Sequence, residues 1–195
     1  MSVLVGRQAP SFTSRAVVGD HAVADFSLEQ FLGESYVVLL FYPKSFTGIC
    51  QTELQAYNDR LADFQARNTA LVAVATDTAD VLAAFRRVPR AEGGAEGVAF
   101  PLVSDANKTI TTNYGVLTGE YDYNDEGQLE APNDLVAYRA TFLIDKQGQV
   151  MHQLVNHLPI GRDVDETLRM VDAVRHLQEN GQACPANWRP AAVTA

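Results

Sequence analysis

Apolar positions along this chain follow two periods in turn. Residues 36–42, YVVLLFY, form an unbroken apolar, aromatic and β-branched run, the pattern of a strand covered on both faces. Pro43 ends it. After Cys50, the residues Leu54, Tyr57, Leu61 and Phe64 recur at steps of three, four and three, which predicts a helix with one apolar face starting near Cys50. ALVAVAT at 70–76 predicts a second buried strand, and 78–87 a helix carrying Val81, Leu82 and Phe85 on one side. The Pro- and Gly-containing segment 89–97 reads as a loop, FPLVSD at 100–105 as a strand and 106–114 as a short helix. ATFLID at 140–145 and VMHQLVN at 150–156, joined by KQGQ, predict a hairpin. Asp163 with Glu166 three residues later forms a capping-box-like start to a helix carrying Val164, Leu168, Val171, Val174 and Leu177, and Asn180 with Gly181 stops it. The segment 118–134 is polar and punctuated by Gly and Pro, the composition of an exposed excursion. The tail after Cys184 has two prolines and no period, so it is expected to be mobile unless it docks on another surface.

Strands alternating with helices indicate an α/β domain, and 195 residues suit one domain with a substantial core. No internal repeat or domain boundary interrupts residues 1–195, which divide into a core at about 3–160 and a C-terminal helix and tail at 161–195. Composition changes this picture mainly by exclusion. Hydrophobic residues at 47% and charged residues at 20% are ordinary globular values, and no apolar run is long enough to span a bilayer. A net charge of −9 with no basic patch argues against a nucleic-acid partner. The N-terminal MSVLVGRQAPSF lacks the basic segment and long apolar stretch of a secretory signal, so a cytoplasmic protein is expected.

The candidate chemistry lies in two cysteines. Cys50 is delivered from a buried strand to the start of a helix, where unpaired N–H groups and the positive end of the helix dipole favour a thiolate. Cys184 lies far away in sequence, and a static disulfide between the two would be unusual in a reducing cytoplasm, whereas a transient catalytic one would not. Neither thiol belongs to a Cys-x-x-Cys or His-x-x-x-His pair, and His21, His152, His157 and His176 are scattered, so no metal site is expected. Gly93-Gly94 is followed by neither Lys-Ser/Thr nor a helix start, so it reads as a turn and not a phosphate loop. The bland readings are a small core thiol at Cys50 and an inert surface thiol at Cys184.

Residues 47–50, Thr-Gly-Ile-Cys, occupy the four positions that Cys-x-x-Cys fills in a dithiol oxidoreductase, with Thr47 in place of the first sulfur. Exchange within that motif is therefore excluded. The Thr47 hydroxyl can instead hydrogen-bond a thiolate, or an oxygen of whatever the thiolate attacks, while Pro43 stiffens the wall and helps keep water out.

Pro43, Thr47 and Cys50 match the Pro-x-x-x-Thr-x-x-Cys motif of the peroxiredoxins, and FYPKSFTGICQTEL resembles the typical 2-Cys subgroup that includes the alkyl hydroperoxide reductase C component. The similarity continues through VATDT at 74–78, FPLVSD, YGVL at 114–117, YRATFLID at 138–145, IGRDVDETLR at 160–169 and ACPANW at 183–188, nearly the whole chain. The resemblance implies a thioredoxin-like α/β fold with a central mixed sheet flanked by helices and a C-terminal tail carrying the second cysteine. It implies that Cys50 is the peroxidatic cysteine, Cys184 the resolving cysteine, and Arg139 an arginine that approaches Cys50 from a distant strand. Without the resemblance, Arg139 could equally be a surface partner of an acidic residue.

The activity so implied is thiol-dependent reduction of hydrogen peroxide and organic hydroperoxides, with no metal or organic cofactor. A thioredoxin or a flavoprotein disulfide reductase would restore the thiols, and the oxidised bond would join the chains of a homodimer, five of which commonly form a ring. The alternative from another class is a redox-sensing, chaperone-like or scaffolding oligomer that oxidises once and stops. Some positions depart from the subgroup's pattern. Gln51 stands where proline is usual and Gly48-Ile49 where a bulkier pair is usual, which predicts a looser first helical turn. Residues 93–96 read Gly-Gly-Ala-Glu where overoxidation-sensitive members have Gly-Gly-aliphatic-Gly, and no Tyr-Phe-bearing helix follows Trp188. A bacterial-type member resistant to overoxidation is therefore expected.

Overall fold

A computed structural model of the chain describes residues 3–131 and 133–190. The C-terminal part of the tail expected to be mobile, 191–195, and position 132 within the insert lie outside the described residues. The strands, in chain order, are β1 (Thr13–Val18), β2 (His21–Ser27), β3 (Tyr36–Tyr42), β4 (Thr69–Ala75), β5 (Leu102–Ser104), β6 (Asp122–Tyr123), β7 (Leu129–Glu130), β8 (Arg139–Ile144) and β9 (Val150–Asn156). The α-helices are α1 (Gly48–Asp59), α2 (Leu61–Gln65), α3 (Ala79–Arg87), α4 (Thr109–Asn113) and α5 (Val164–Asn180). Seven strands form one mixed sheet in the order β2-β1-β5-β4-β3-β8-β9, and β6 with β7 make a separate small hairpin. The pairs β3/β4 and β4/β5 are parallel, the remaining pairs antiparallel.

β3 runs near the middle of this sheet with all seven residues buried, as its unbroken apolar run predicts. Its alternate residues serve two cores. Tyr36, Val38, Leu40 and Tyr42 face Cys50, Leu54, Tyr57, Phe85, Leu168 and Val171, whereas Val37, Leu39 and Phe41 pack with Tyr114, Phe142 and Ile144. The Tyr114 and Phe142 rings meet edge to face at 4.9 Å. A covered central strand therefore ends at Pro43, and the chain turns directly into α1, placing Cys50 at the carboxyl edge of the sheet where open α/β folds gather their chemistry.

Several local expectations need correction. The helix read from Cys50 to Phe64 is two helices, because Arg60 leaves helical geometry (φ −107°, ψ 12°) between α1 and α2 while Phe64 still reaches the core. The short helix expected at 106–114 begins only at Thr109. Lys108 adopts φ +62°, and the buried Asp105 carboxylate accepts the Ile110 and Thr111 N–H groups, so the side chain, not a longer helix, satisfies those donors. The strand at 100–105 shortens to Leu102–Ser104. The hairpin β1–β2, closed by Gly19-Asp20, carries too few buried residues to advertise itself: four of the seven β2 residues are exposed on the sheet's edge.

The β8–β9 hairpin pairs as predicted, with Arg139 opposite Asn156. Its turn needs Gly148, whose φ is +81° and where a Cβ would come 2.9 Å from the Gln8 side chain. At the Gly93-Gly94 turn, Gly94 packs so closely on Val88 that a Cβ would lie 2.0 Å from the Val88 carbonyl oxygen, a packing reason for the glycine pair. Asp163 caps α5 by accepting the Glu166 N–H at 3.0 Å, while the Glu166 carboxylate turns to Arg169 instead of closing the box. The described part of the tail docks on α5: the Trp188 ring lies 5.0 Å from the His176 ring, and Arg169 donates to the Trp188 carbonyl at 3.3 Å. The insert is an exposed excursion, as its composition predicts. Among the described residues no helix is long and apolar enough to cross a membrane.

Candidate active site

Cys50 occupies the first turn of α1 and is fully buried. The first intrahelical bond runs from the Gln51 N–H to the Thr47 carbonyl at 3.2 Å, so the N–H groups of Gly48, Ile49 and Cys50 precede it and form the positive end of the helix. Thr47 is the N-cap residue, yet its side chain makes no cap bond. Its hydroxyl donates to the Lys44 carbonyl at 3.0 Å and lines the same cavity as Pro43 and Arg139.

Arg139, the first residue of β8, is brought to Cys50 across the sheet. Its Nη1 donates to the Cys50 sulfur at 3.3 Å and to Glu53 Oε2 at 2.8 Å, and its Nε donates to the Leu158 carbonyl at 2.5 Å. A guanidinium held at three points has little freedom to leave the sulfur. The surface-partner reading of Arg139 does not hold, since its side chain is 4% exposed.

Glu53 and Arg162 complete the arrangement, and sequence reasoning missed both. Glu53 Oε1 accepts from Arg162 N at 2.9 Å and Nε at 2.8 Å, and Oε2 accepts from Arg162 Nη2 at 2.9 Å as well as from Arg139. Arg162 also donates to the Ala140 carbonyl at 2.8 Å, which ties the segment before α5 to β8. Burial pushes the Glu53 carboxyl up, but Arg162 and then Arg139 outweigh burial and hold it below its ordinary value of 4.5. One carboxylate between two buried guanidinium groups fixes both of them. A signal for Glu53 existed: positions 50, 53, 54 and 57 share a helical face, so a charge there stands on the core side. Arg162 had none, because it precedes the helix in a segment without periodicity.

The looseness expected of the first α1 turn is only half realised. Gly48 has open space around it, but the Gln51 amide donates to the Arg90 carbonyl at 3.1 Å. Further along α1, Gln55 donates to the Gly94 and Glu96 carbonyls and Asn58 to that of Gly97. The helix is thus laced by amide side chains to the loop 90–97.

Cys184 is not brought to Cys50. Both thiols are free, and Cys184 is half-buried on α5 with its S–H donating to the Ala173 carbonyl at 3.5 Å. Among the described residues no three His, Cys, Asp or Glu side chains gather as metal ligands would. The arrangement that is present, a buried sulfur at a helix N-terminus under a fixed guanidinium, supports nucleophilic attack by sulfur with stabilisation of a departing oxygen.

Comparison with known proteins places this geometry in a family. The model of the AhpC/TSA family matches residues 5–153. The chain is 41% identical to a thioredoxin peroxidase from Echinococcus granulosus over 194 residues, covering all of this chain and 93% of that protein. It is 40% identical over 188 residues to an alkyl hydroperoxide reductase C from Helicobacter pylori, covering 96% and 88% of the two chains. The crystal structure of a reduced Plasmodium vivax 2-Cys peroxiredoxin superposes with a TM-score of 0.86 at 38% identity, over 98% of this chain and 92% of that one. With its sheet order, its buried thiol and a match that spans most of its length, the chain belongs to the AhpC/TSA family and has the thioredoxin-like α/β fold its sequence predicts.

Proposed function

We propose that this chain is a thiol-dependent peroxidase in which Cys50 attacks a hydroperoxide and Cys184 resolves the product. The observation that carries the reading is the Arg139 guanidinium 3.3 Å from the buried Cys50 sulfur at the start of α1. The Cys50 thiolate attacks one peroxide oxygen, and the O–O bond breaks with its electron pair on the other oxygen. That oxygen leaves as water or an alcohol after taking a proton from solvent. Arg139, Thr47 and the N–H groups of the α1 first turn stabilise the oxygens as charge develops, and Pro43 walls the site. Cys50 is left as sulfenic acid. The Cys184 thiolate then attacks the Cys50 sulfur, the S–O bond breaks, water departs, and a disulfide remains on the reversible branch of cysteine oxidation. A reduced dithiol donor, a thioredoxin or a flavoprotein disulfide reductase, takes over that disulfide and restores both thiols. Relatives named thioredoxin peroxidase and alkyl hydroperoxide reductase C support the activity, and the first of those names supports a thioredoxin as one donor class.

The same reading makes residues 3–160 the core of one domain and 161–195 its C-terminal helix and resolving tail, in a cytoplasmic homodimer with five dimers in a ring. Two surface features support assembly. β9, like β2 at the other end, is an edge strand of the sheet, with no strand beyond it among the described residues, and such an edge invites a second copy. Phe46, in the loop before α1, is 55% exposed and held at φ +58° against Phe85, so an apolar ring stands beside the site on a strained backbone. A ring contact built on that loop weakens when Cys50 leaves its pocket, which it must do because a disulfide requires Cα atoms within about 7 Å. Resistance to overoxidation belongs to the same proposal: the Cys184 attack outruns a second peroxide, and sulfinic acid stays a minor product at modest peroxide.

Peroxide-treated wild-type protein is expected to run as a dimer on a non-reducing gel and to collapse with dithiothreitol. Cys184→Ser is expected to stay monomeric on that gel and to trap dimedone on Cys50, seen by peptide mass spectrometry. A wild-type monomer with an internal Cys50–Cys184 bond would refute the intersubunit assignment, and no dimedone adduct in Cys184→Ser would remove Cys184 from the mechanism.

A further inference from the structure

A cavity of about 510 Å³ is lined in part by Arg139, whose guanidinium donates to the buried Cys50 sulfur behind it. Arg139 lines it on the side of the sulfur, Pro43, Val136 and Leu158 give it apolar walls, and Lys44 and Asp134 stand at its exposed rim. Hydrogen peroxide, two oxygens with no carbon, makes no use of those walls. The volume falls in the range of roughly 300–1,000 Å³ typical of sites for small organic molecules.

The rim joins two segments distant in sequence. Lys44 follows Pro43 in the loop leading to α1, and Asp134 closes the polar insert 118–134. Lys44 Nζ lies 2.9 Å from Asp134 Oδ2. The base of the insert is itself pinned, since the Thr118 hydroxyl donates to the Asp134 carbonyl and accepts the Val136 N–H, each at 3.1 Å. The ion pair therefore fixes the gap between the Pro43 side of the cavity and the Val136 side.

We propose that the Lys44–Asp134 bridge is a specificity device: it seats the base of the insert so that the carbon-bearing part of an organic hydroperoxide lies between Pro43, Val136 and Leu158 while its O–O group meets Cys50 and Arg139. Lys44 and Asp134 are positioning residues in this scheme. They set how fast an apolar organic hydroperoxide reacts relative to hydrogen peroxide, and the inference rests on the peroxidase reading.

The test compares the rates at which cumene hydroperoxide and hydrogen peroxide consume the alkylatable Cys50 thiol of fully reduced protein, so no donor protein is needed. In Lys44→Gln and in Asp134→Asn the cumene-to-hydrogen peroxide rate ratio is expected to fall by about threefold, the scale of one exposed ion pair. The charge-swapped double variant, Lys44→Glu with Asp134→Lys, is expected to recover most of the wild-type ratio, a rescue that mere loosening of the loop does not give. Wild-type ratios in both single variants, or no recovery in the swap, would overturn the inference while leaving the peroxidase reading in place. Wild-type Cys50 that reacts with neither peroxide would take down the peroxidase reading, and this inference with it.

Discussion

Cys50→Ser is expected to eliminate peroxide turnover. A serine hydroxyl at neutral pH supplies almost no anionic nucleophile, and its oxygen is a far weaker nucleophile than sulfur. The substitution is nearly isosteric, and Cys50 sits fully buried in the first turn of α1, in the core cluster it shares with β3. The bonds of Arg139 to Glu53 and to the Leu158 carbonyl do not involve the sulfur, so the site is expected to stay assembled in the variant. The loss therefore reports chemistry and not unfolding, which an unchanged thermal midpoint verifies. Residual turnover above about a hundredth of wild type, a barrier change under roughly 2.7 kcal/mol, would sink the assignment of Cys50.

Glu53→Gln is expected to be costly for a different reason. It leaves Arg139 and Arg162, with side chains 4% and 1% exposed, as buried cations without their carboxylate. Breaking a buried ion pair in this way costs on the order of 3–5 kcal/mol, and the variant should show it as a lower urea midpoint with an unchanged slope. It should also slow peroxide attack, because Arg139 loses the anchor that holds it against the sulfur. The pH dependence carries a sign that follows from the depressed Glu53 value. A carboxyl whose folded value lies below its unfolded one contributes stability above the ordinary value of 4.5, and that contribution disappears as pH falls through the folded value. Wild-type stability should thus decline below about pH 4.5 with a component that Glu53→Gln lacks. Matching acid limbs and matching urea midpoints would contradict the role given to Glu53.

What could be read ahead of the structure depended on how local each determinant is. The strand 36–42 and the helix after Cys50 announce themselves because burial on both faces, and burial on one, leave different periods over a few residues. The β1–β2 hairpin does not, since its outer strand faces solvent and needs no apolar alternation. Within the site, the position of Cys50 at a helix start followed from the pattern alone. The approach of Arg139 rested on resemblance, because no period in YRATF says which of its residues meets a helix 89 positions away. Glu53–Arg162 is the harder case: the pairing exists only once the segment before α5 lies beside α1, 109 residues from its partner. The insert shows the same division. Its polar composition marks it as exposed, but the contact of Asp134 with Lys44 is a product of tertiary placement.

Peroxide consumed per chain, followed while a reduced thioredoxin or a flavoprotein disulfide reductase is present in excess, tests the central claim most directly. The account predicts that consumption continues through many equivalents until the donor is exhausted, with Cys50 returning to the thiol each cycle. Consumption that stops at one equivalent per chain with every donor tried would contradict it and would leave a protein that senses peroxide without removing it.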